Sequence, residues 1–215
     1  MYNKTELLNI KLHEEFSQYR NYVTLERYVM SELLSPIEDY YEAINLIEQN
    51  EDIIDGLNLY YVAAYLCVEW MPDNHKFIDK LNCILSSVDD TAKAVIYYLN
   101  AYSFSYANDS NDLQTYINHL KRSIEFSKNI RFVNNRLDLA QVLSGDEAEK
   151  YKQDALENVE SVFTETELSH INDEEWLKIK LNSQSYIDEF ILGTHMTSVV
   201  YEAKFGKKIR SIKYF

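Results

Sequence analysis

Two six-residue stretches of this chain match at a distance of 37 residues: Tyr60-Tyr61-Val62-Ala63-Ala64-Tyr65 and Tyr97-Tyr98-Leu99-Asn100-Ala101-Tyr102. A second set of positions keeps step with them. Tyr40, Phe77, Tyr116 and Tyr151 follow one another at offsets of 37, 39 and 35. Ile44, Leu81, Leu120 and Ala155 repeat that series four residues on, and Ile47 and Ile84 extend it by a further turn. Ala140 lies 39 residues after Ala101, the same spacing as Tyr116 after Phe77. Helical periodicity places apolar residues every three or four positions, but it does not make the spacings of two separate segments agree. A period of this length marks stacked supersecondary units. Each unit is too small to bury its own apolar face, and its neighbours complete the core. Small residues at Ala64, Ala101 and Ala140 allow helices to approach closely.

The units are helical. The 215 residues include only four Gly and two Pro, too few for the turns of an all-β chain this long. The spacing of Leu8, Leu12, Phe16 and Tyr19, then Val23, Tyr28 and Leu33, predicts helix over 4–34, as one long segment or two short ones. Ser35-Pro36-Ile37-Glu38 reads as a capped start of the next helix, which runs to about Asn50. A helix from Asp55-Gly56 ends before Met71-Pro72, because proline lacks the backbone donor that would continue it. Helices are predicted over 74–87, 91–107, 112–128 and 132–143. Another runs from the capping box Ser144-Gly145-Asp146-Glu147 to about Phe163. Short helices over 173–192 end at Gly193, and a last one covers 195–205. The expected fold is all-α: an α-α superhelix of stacked antiparallel hairpins in one domain, 1–215. Residues 1–35 would form an N-terminal cap, 36–163 the hairpin repeats, and 164–215 a C-terminal helical cap.

The unit resembles tetratricopeptide-like repeats. Tyr60 with Ala64, and Tyr97 with Ala101, look like the aromatic and small pair of that family's first helix. Tyr116 and Leu120 look like positions of its second helix. The resemblance covers roughly 36–163. The unit here exceeds the family's 34 residues and lacks the proline that often closes it. The resemblance implies a concave groove lined by the first helix of each hairpin, taking a peptide or protein. It places Tyr61, Tyr65, Tyr98 and Tyr102 toward that groove, with Leu137 and Gln141 as their third-unit equivalents, and Tyr60 and Tyr97 toward the core.

Charge narrows the partner. A net charge of −14 leaves no basic footprint for nucleic acid, so none is expected as a partner. It favours encounter with a basic protein or peptide. The local exception is the stretch Lys204, Lys207, Lys208, Arg210 and Lys213, which reads as a solvated end docking on the acidic body or as a contact for an acidic group. No run is apolar enough for a signal core or a membrane span. Cys67 and Cys83 sit in apolar stretches outside any C-x-x-C motif, which suits buried free thiols in a reducing cytoplasm.

The residues carry no motif for catalysis, cofactor or metal. Glu167 and His170 have the spacing of di-iron bundles, but the second such pair is missing, so an exposed helix end is the simpler reading. His13-Glu14-Glu15 and Asp188-Glu189 read as solvated acidic faces. There is no Gly-rich phosphate loop and no nucleophile elbow. The expectation is a non-enzymatic binding module. Roles that suit it are a bacterial immunity protein plugging a basic toxin, and a peptide-sensing regulator. A helical enzyme using scattered His and carboxylates, and a self-associating scaffold, are the alternatives.

Overall fold

The computed structural model describes residues 12–34, 39–105, 110–160, 169, 170, 172, 173, 187 and 191–193. These residues form helices and connecting turns, with no strand among them. Residues 12–18 (α1) are followed by α2 (Tyr22–Tyr28), α3 (Tyr40–Gln49), α4 (Asn58–Trp70), α5 (Lys76–Ile84) and α6 (Asp90–Tyr102). Then come α7 (Ser110–Phe126), α8 (Asn134–Val142) and α9 (Gly145–Glu160). Between α2 and α3 the chain continues as a π-helical turn, Val29–Leu33.

The helices pack as successive antiparallel hairpins, giving an all-α superhelix. The Val29–Leu33 turn packs on α3, α4 on α5, α6 on α7, and α8 on α9. Each second helix also packs on the next first helix: α3 on α4, α5 on α6, and α7 on α8. The first helices α4 and α6 touch one another as well. The segment assigned from sequence to an N-terminal cap therefore supplies the partner of α3. The predicted helix over 4–34 divides at Tyr19–Asn21, because Asn21 starts a new one. Its side chain accepts from the Thr24 amide at 3.2 Å, and the Thr24 hydroxyl accepts from the Asn21 amide at 3.3 Å.

The predicted apolar columns sit in the core. Ile44, Leu81, Leu120 and Ala155 are buried, as are Phe77, Tyr116 and Ile47, and so are Ala64, Ala101 and Ala140. The predicted start at Ser35–Glu38 lies outside the described residues. The helix α3 begins after Asp39, whose side chain accepts from the Glu42 amide. Most of the helices expected over 173–192, that over 195–205 and the basic stretch from Lys204 also lie outside them.

Two polar groups within the core find partners on neighbouring helices. Asn100, where the matching stretch has Ala63, exchanges two amide hydrogen bonds with Asn82 of α5 at 2.8 and 2.9 Å. The guanidinium of buried Arg136 bonds Asp154 of α9 at 2.7 Å, the Phe132 carbonyl at 2.7 Å and, at 3.1 Å, the hydroxyl of Ser127 just past the end of α7. Beside it, Asn135 donates to Ser123 and Ser127, and Ser123 donates to the Ala94 carbonyl of α6 at 2.7 Å. This network ties the four helices α6 to α9 together around groups that would be costly to bury unpaired.

One expectation about the thiols is corrected. Cys67 is buried, but Cys83 is exposed. The apolar neighbours Leu81 and Ile84 of α5 turn inward, and a residue one or two positions away points about 100–200° round the helix from them.

Candidate functional site: a tyrosine ladder across the hairpins

Residues 61 and 65 lie one turn apart on α4, and residues 98 and 102 lie one turn apart on α6. Because α4 and α6 touch, the two pairs meet. The rings of Tyr65 and Tyr102 stack with centroids 4.9 Å apart and planes 8° from parallel. Tyr102 in turn stacks on Tyr98 at 6.1 Å. Tyr98 meets the edge of Phe132 at 5.0 Å, just before α8. Rings from three successive hairpins thus form one continuous ladder.

Each of the two middle rings is tied to a carboxyl group. The Tyr102 hydroxyl donates to Glu69 of α4, and the Tyr98 hydroxyl donates to Asp138 of α8 at 3.0 Å. Burial, reinforced by these acids, raises both phenols well above the ordinary tyrosine range. They stay protonated at any working pH, so they act as aromatic faces and hydrogen-bond donors and not as phenolate nucleophiles. Burial also pushes the Asp138 carboxyl up to about 6, while the Tyr98 hydrogen bond pulls the other way.

The six residues singled out from sequence do not behave alike. Tyr65 and Tyr102 are half-buried, with rings in the ladder. Tyr61 and Tyr98 are 7% and 3% exposed and belong to the core, so they do not present open ring faces to a groove. The reason is coverage: α4 packs on α3, α5 and α6, leaving little of its circumference open. In the third unit Leu137 turns toward its own hairpin, against Val133 and Ala155, and Gln141 is exposed. Neither joins the ladder. Asp138, one position beyond the repeat offset, takes that place. Tyr60 and Tyr97 pack on their own second helices, Tyr60 near Phe77 and Tyr97 on Phe126, and both are half-buried.

Sequence reasoning missed Glu69, Phe132 and Asp138. One signal for Glu69 was present: it follows Tyr65 by four residues and so shares its helix face. Among the described residues the histidines show no comparable assembly. His119 lies between the rings of Tyr97 and Phe104, and burial lowers its pKa. His13 sets its edge on Tyr28, Glu15 pairs with Arg27 at 2.8 Å, and His170 is exposed. Glu167, Asp188 and Glu189 lie outside the described residues. Among the described residues no group of three His, Cys, Asp or Glu side chains is gathered as metal ligands, and no helix is long and apolar enough to cross a membrane. Comparison of the chain with family models, curated proteins and solved structures returns no match.

Proposed function

We propose that this chain is a non-covalent protein- or peptide-binding module of tetratricopeptide-like type, and that its site is the tyrosine ladder with its two carboxylates. The observation that carries this reading is the stack of Tyr65 on Tyr102, joined through Tyr98 to Asp138 and through the Tyr102 hydroxyl to Glu69. Half-buried rings held by neighbouring rings lose little freedom on binding, and aromatic anchors of this kind dominate interface energies. With an acid bonded to each of its two middle rings and a net charge of −14 on the chain, the ladder suits a basic partner. Occluding a basic toxin, as an immunity protein does, is the role that this combination of charge and rigid aromatic surface favours.

A pull-down from the source cell tests the reading. The Tyr65→Ala/Tyr102→Ala double variant is compared with the parent chain, with circular dichroism confirming that both remain helical. The expected result is at least about tenfold weaker retention of the partner. Equal retention by both forms would sink the assignment of the site. A toxin gene beside the gene for this chain would support the immunity role.

A further inference from the structure

We propose a second docking surface, at the meeting of the start of α3 and the end of α4, where the rings of Trp70 and Tyr41 receive an arginine side chain of a basic partner segment. Trp70 is 46% exposed and Tyr41 54% exposed, an unusual pairing of two large rings in water. They are also fixed in place. Tyr40 stacks on the Trp70 indole at 5.0 Å, and the Tyr41 hydroxyl donates to the Trp70 carbonyl at 3.2 Å, which satisfies one acceptor left open at the helix end. The surface is separate from the ladder. Trp70 lies five residues beyond Tyr65, about 140° round the helix, and so turns toward α3 and away from α6.

The charge around these rings identifies the occupant. Asp39 and Glu42 are exposed at the start of α3, and Asp73 is exposed three residues past Trp70. Among the described residues none of the three makes an ion pair, whereas Lys76, the nearest cation along the chain after Trp70, is held by Glu51 at 2.6 Å. Rigid aromatic faces flanked in the chain by exposed acids that make no ion pair favour a cation. A guanidinium fits better than an ammonium, because it is planar and weakly hydrated. It stacks on an indole while its N–H groups reach carboxylates. The inference shares the basic partner of the proposed function but not its site.

Titration calorimetry with hexa-arginine and hexa-lysine peptides on the full chain at low salt tests it. Hexa-arginine should bind at least about fivefold more tightly than hexa-lysine. Trp70→Ala and Tyr41→Ala should each weaken hexa-arginine binding by about fivefold or more. Glu42→Gln, at an exposed position that leaves packing untouched, should weaken binding less and flatten its salt dependence. Unchanged binding by all three variants would overturn the proposal, as would equal affinity for the two peptides. If only the Tyr65→Ala/Tyr102→Ala variant loses the peptide, the ladder is the cation site and this second surface is refuted. If light scattering shows a dimer that Trp70→Ala dissolves, while hexa-arginine fails to bind, the occupant is a second copy of the chain and the arginine assignment is wrong.

Discussion

The hydroxyl of Tyr98 donates a 3.0 Å hydrogen bond to Asp138, forty residues away and in the next hairpin. That bond joins a ring of the ladder to a carboxyl that burial has pushed up to about 6. It couples packing between two hairpins to protonation of a single group, and it leads to the first prediction.

The folded pKa of Asp138 lies above the ordinary carboxylate value, so the folded chain holds this proton more tightly than the unfolded one. The protonated carboxyl's contribution to stability is complete below the unfolded pKa, near 4, and is lost as pH rises through about 6. Asp138→Asn keeps an acceptor for Tyr98 and removes the buried charge. It should stabilise the chain at pH 7.5, by at most about 3 kcal/mol, and the difference from the parent should shrink as pH falls from 7 to 4. Urea unfolding of both forms across that range measures it, and a difference independent of pH would contradict the account. Tyr98→Phe should act oppositely at pH 7.5, destabilising by about 1–3 kcal/mol because a partly buried carboxylate loses its donor.

The Arg136 network should be sensitive at its buried end and tolerant at its wet end. Arg136→Met removes the donor to the Phe132 carbonyl, Ser127 and Asp154, and should cost about 2–4 kcal/mol. Asp154 is 40% exposed, so in Asp154→Asn water takes over part of the lost contact. That change should cost less than half as much. Chemical denaturation of the two variants decides it, and equal losses would mean that the ion pair outweighs the buried bonds.

Among the described residues two glycines have left-handed backbone, yet they should respond differently to alanine. Gly193 has φ +76°, and an added Cβ would strike the side chain of Asn134. Gly145 has φ +66° with open space around it. Gly145→Ala should cost only the conformational penalty of about 1–2 kcal/mol. Gly193→Ala should cost that plus a steric clash, and should loosen residues 191–193. These now dock at the start of α8, where the Val133 amide just before the helix donates to the Leu192 carbonyl at 2.8 Å. Thermal melts of the pair measure the difference, and a smaller loss for Gly193→Ala would refute the docking argument.

The two thiols should separate cleanly under a maleimide reagent. Cys83 is exposed and should react in the folded chain. Cys67 is buried, with its thiol pushed up to about 12 by burial, and should react only on unfolding. Mass spectrometry after brief labelling reads the result, and labelling of Cys67 in the native chain would mean that α4 opens readily.

The physics of burial explains how far the residues could be read. Columns such as Ile44, Leu81 and Leu120 were legible because an apolar residue recurring at helical spacing has to turn toward the core, whatever surrounds it. Cys83 was misjudged because apolar neighbours in sequence are not neighbours on a helix face. The ladder was half legible. Spacing placed Tyr65 and Tyr102 on helices that could meet, but no local signal placed Phe132 or Asp138 beside Tyr98. The Asn100–Asn82 pair and the Arg136 network were invisible for the same reason. A polar side chain is stable inside only if a partner arrives from another helix, and the chain near it does not name that partner.

Periodicity, scarce turn residues and matching offsets were enough, from the sequence by itself, to determine helices folded into hairpins and the apolar face that each would bury. Only tertiary packing decided which tyrosines became fully buried and which stayed half open. Exposure depends on how many neighbours cover a helix, and α4, pressed by α3, α5 and α6, buries Tyr61 while leaving Tyr65 half open.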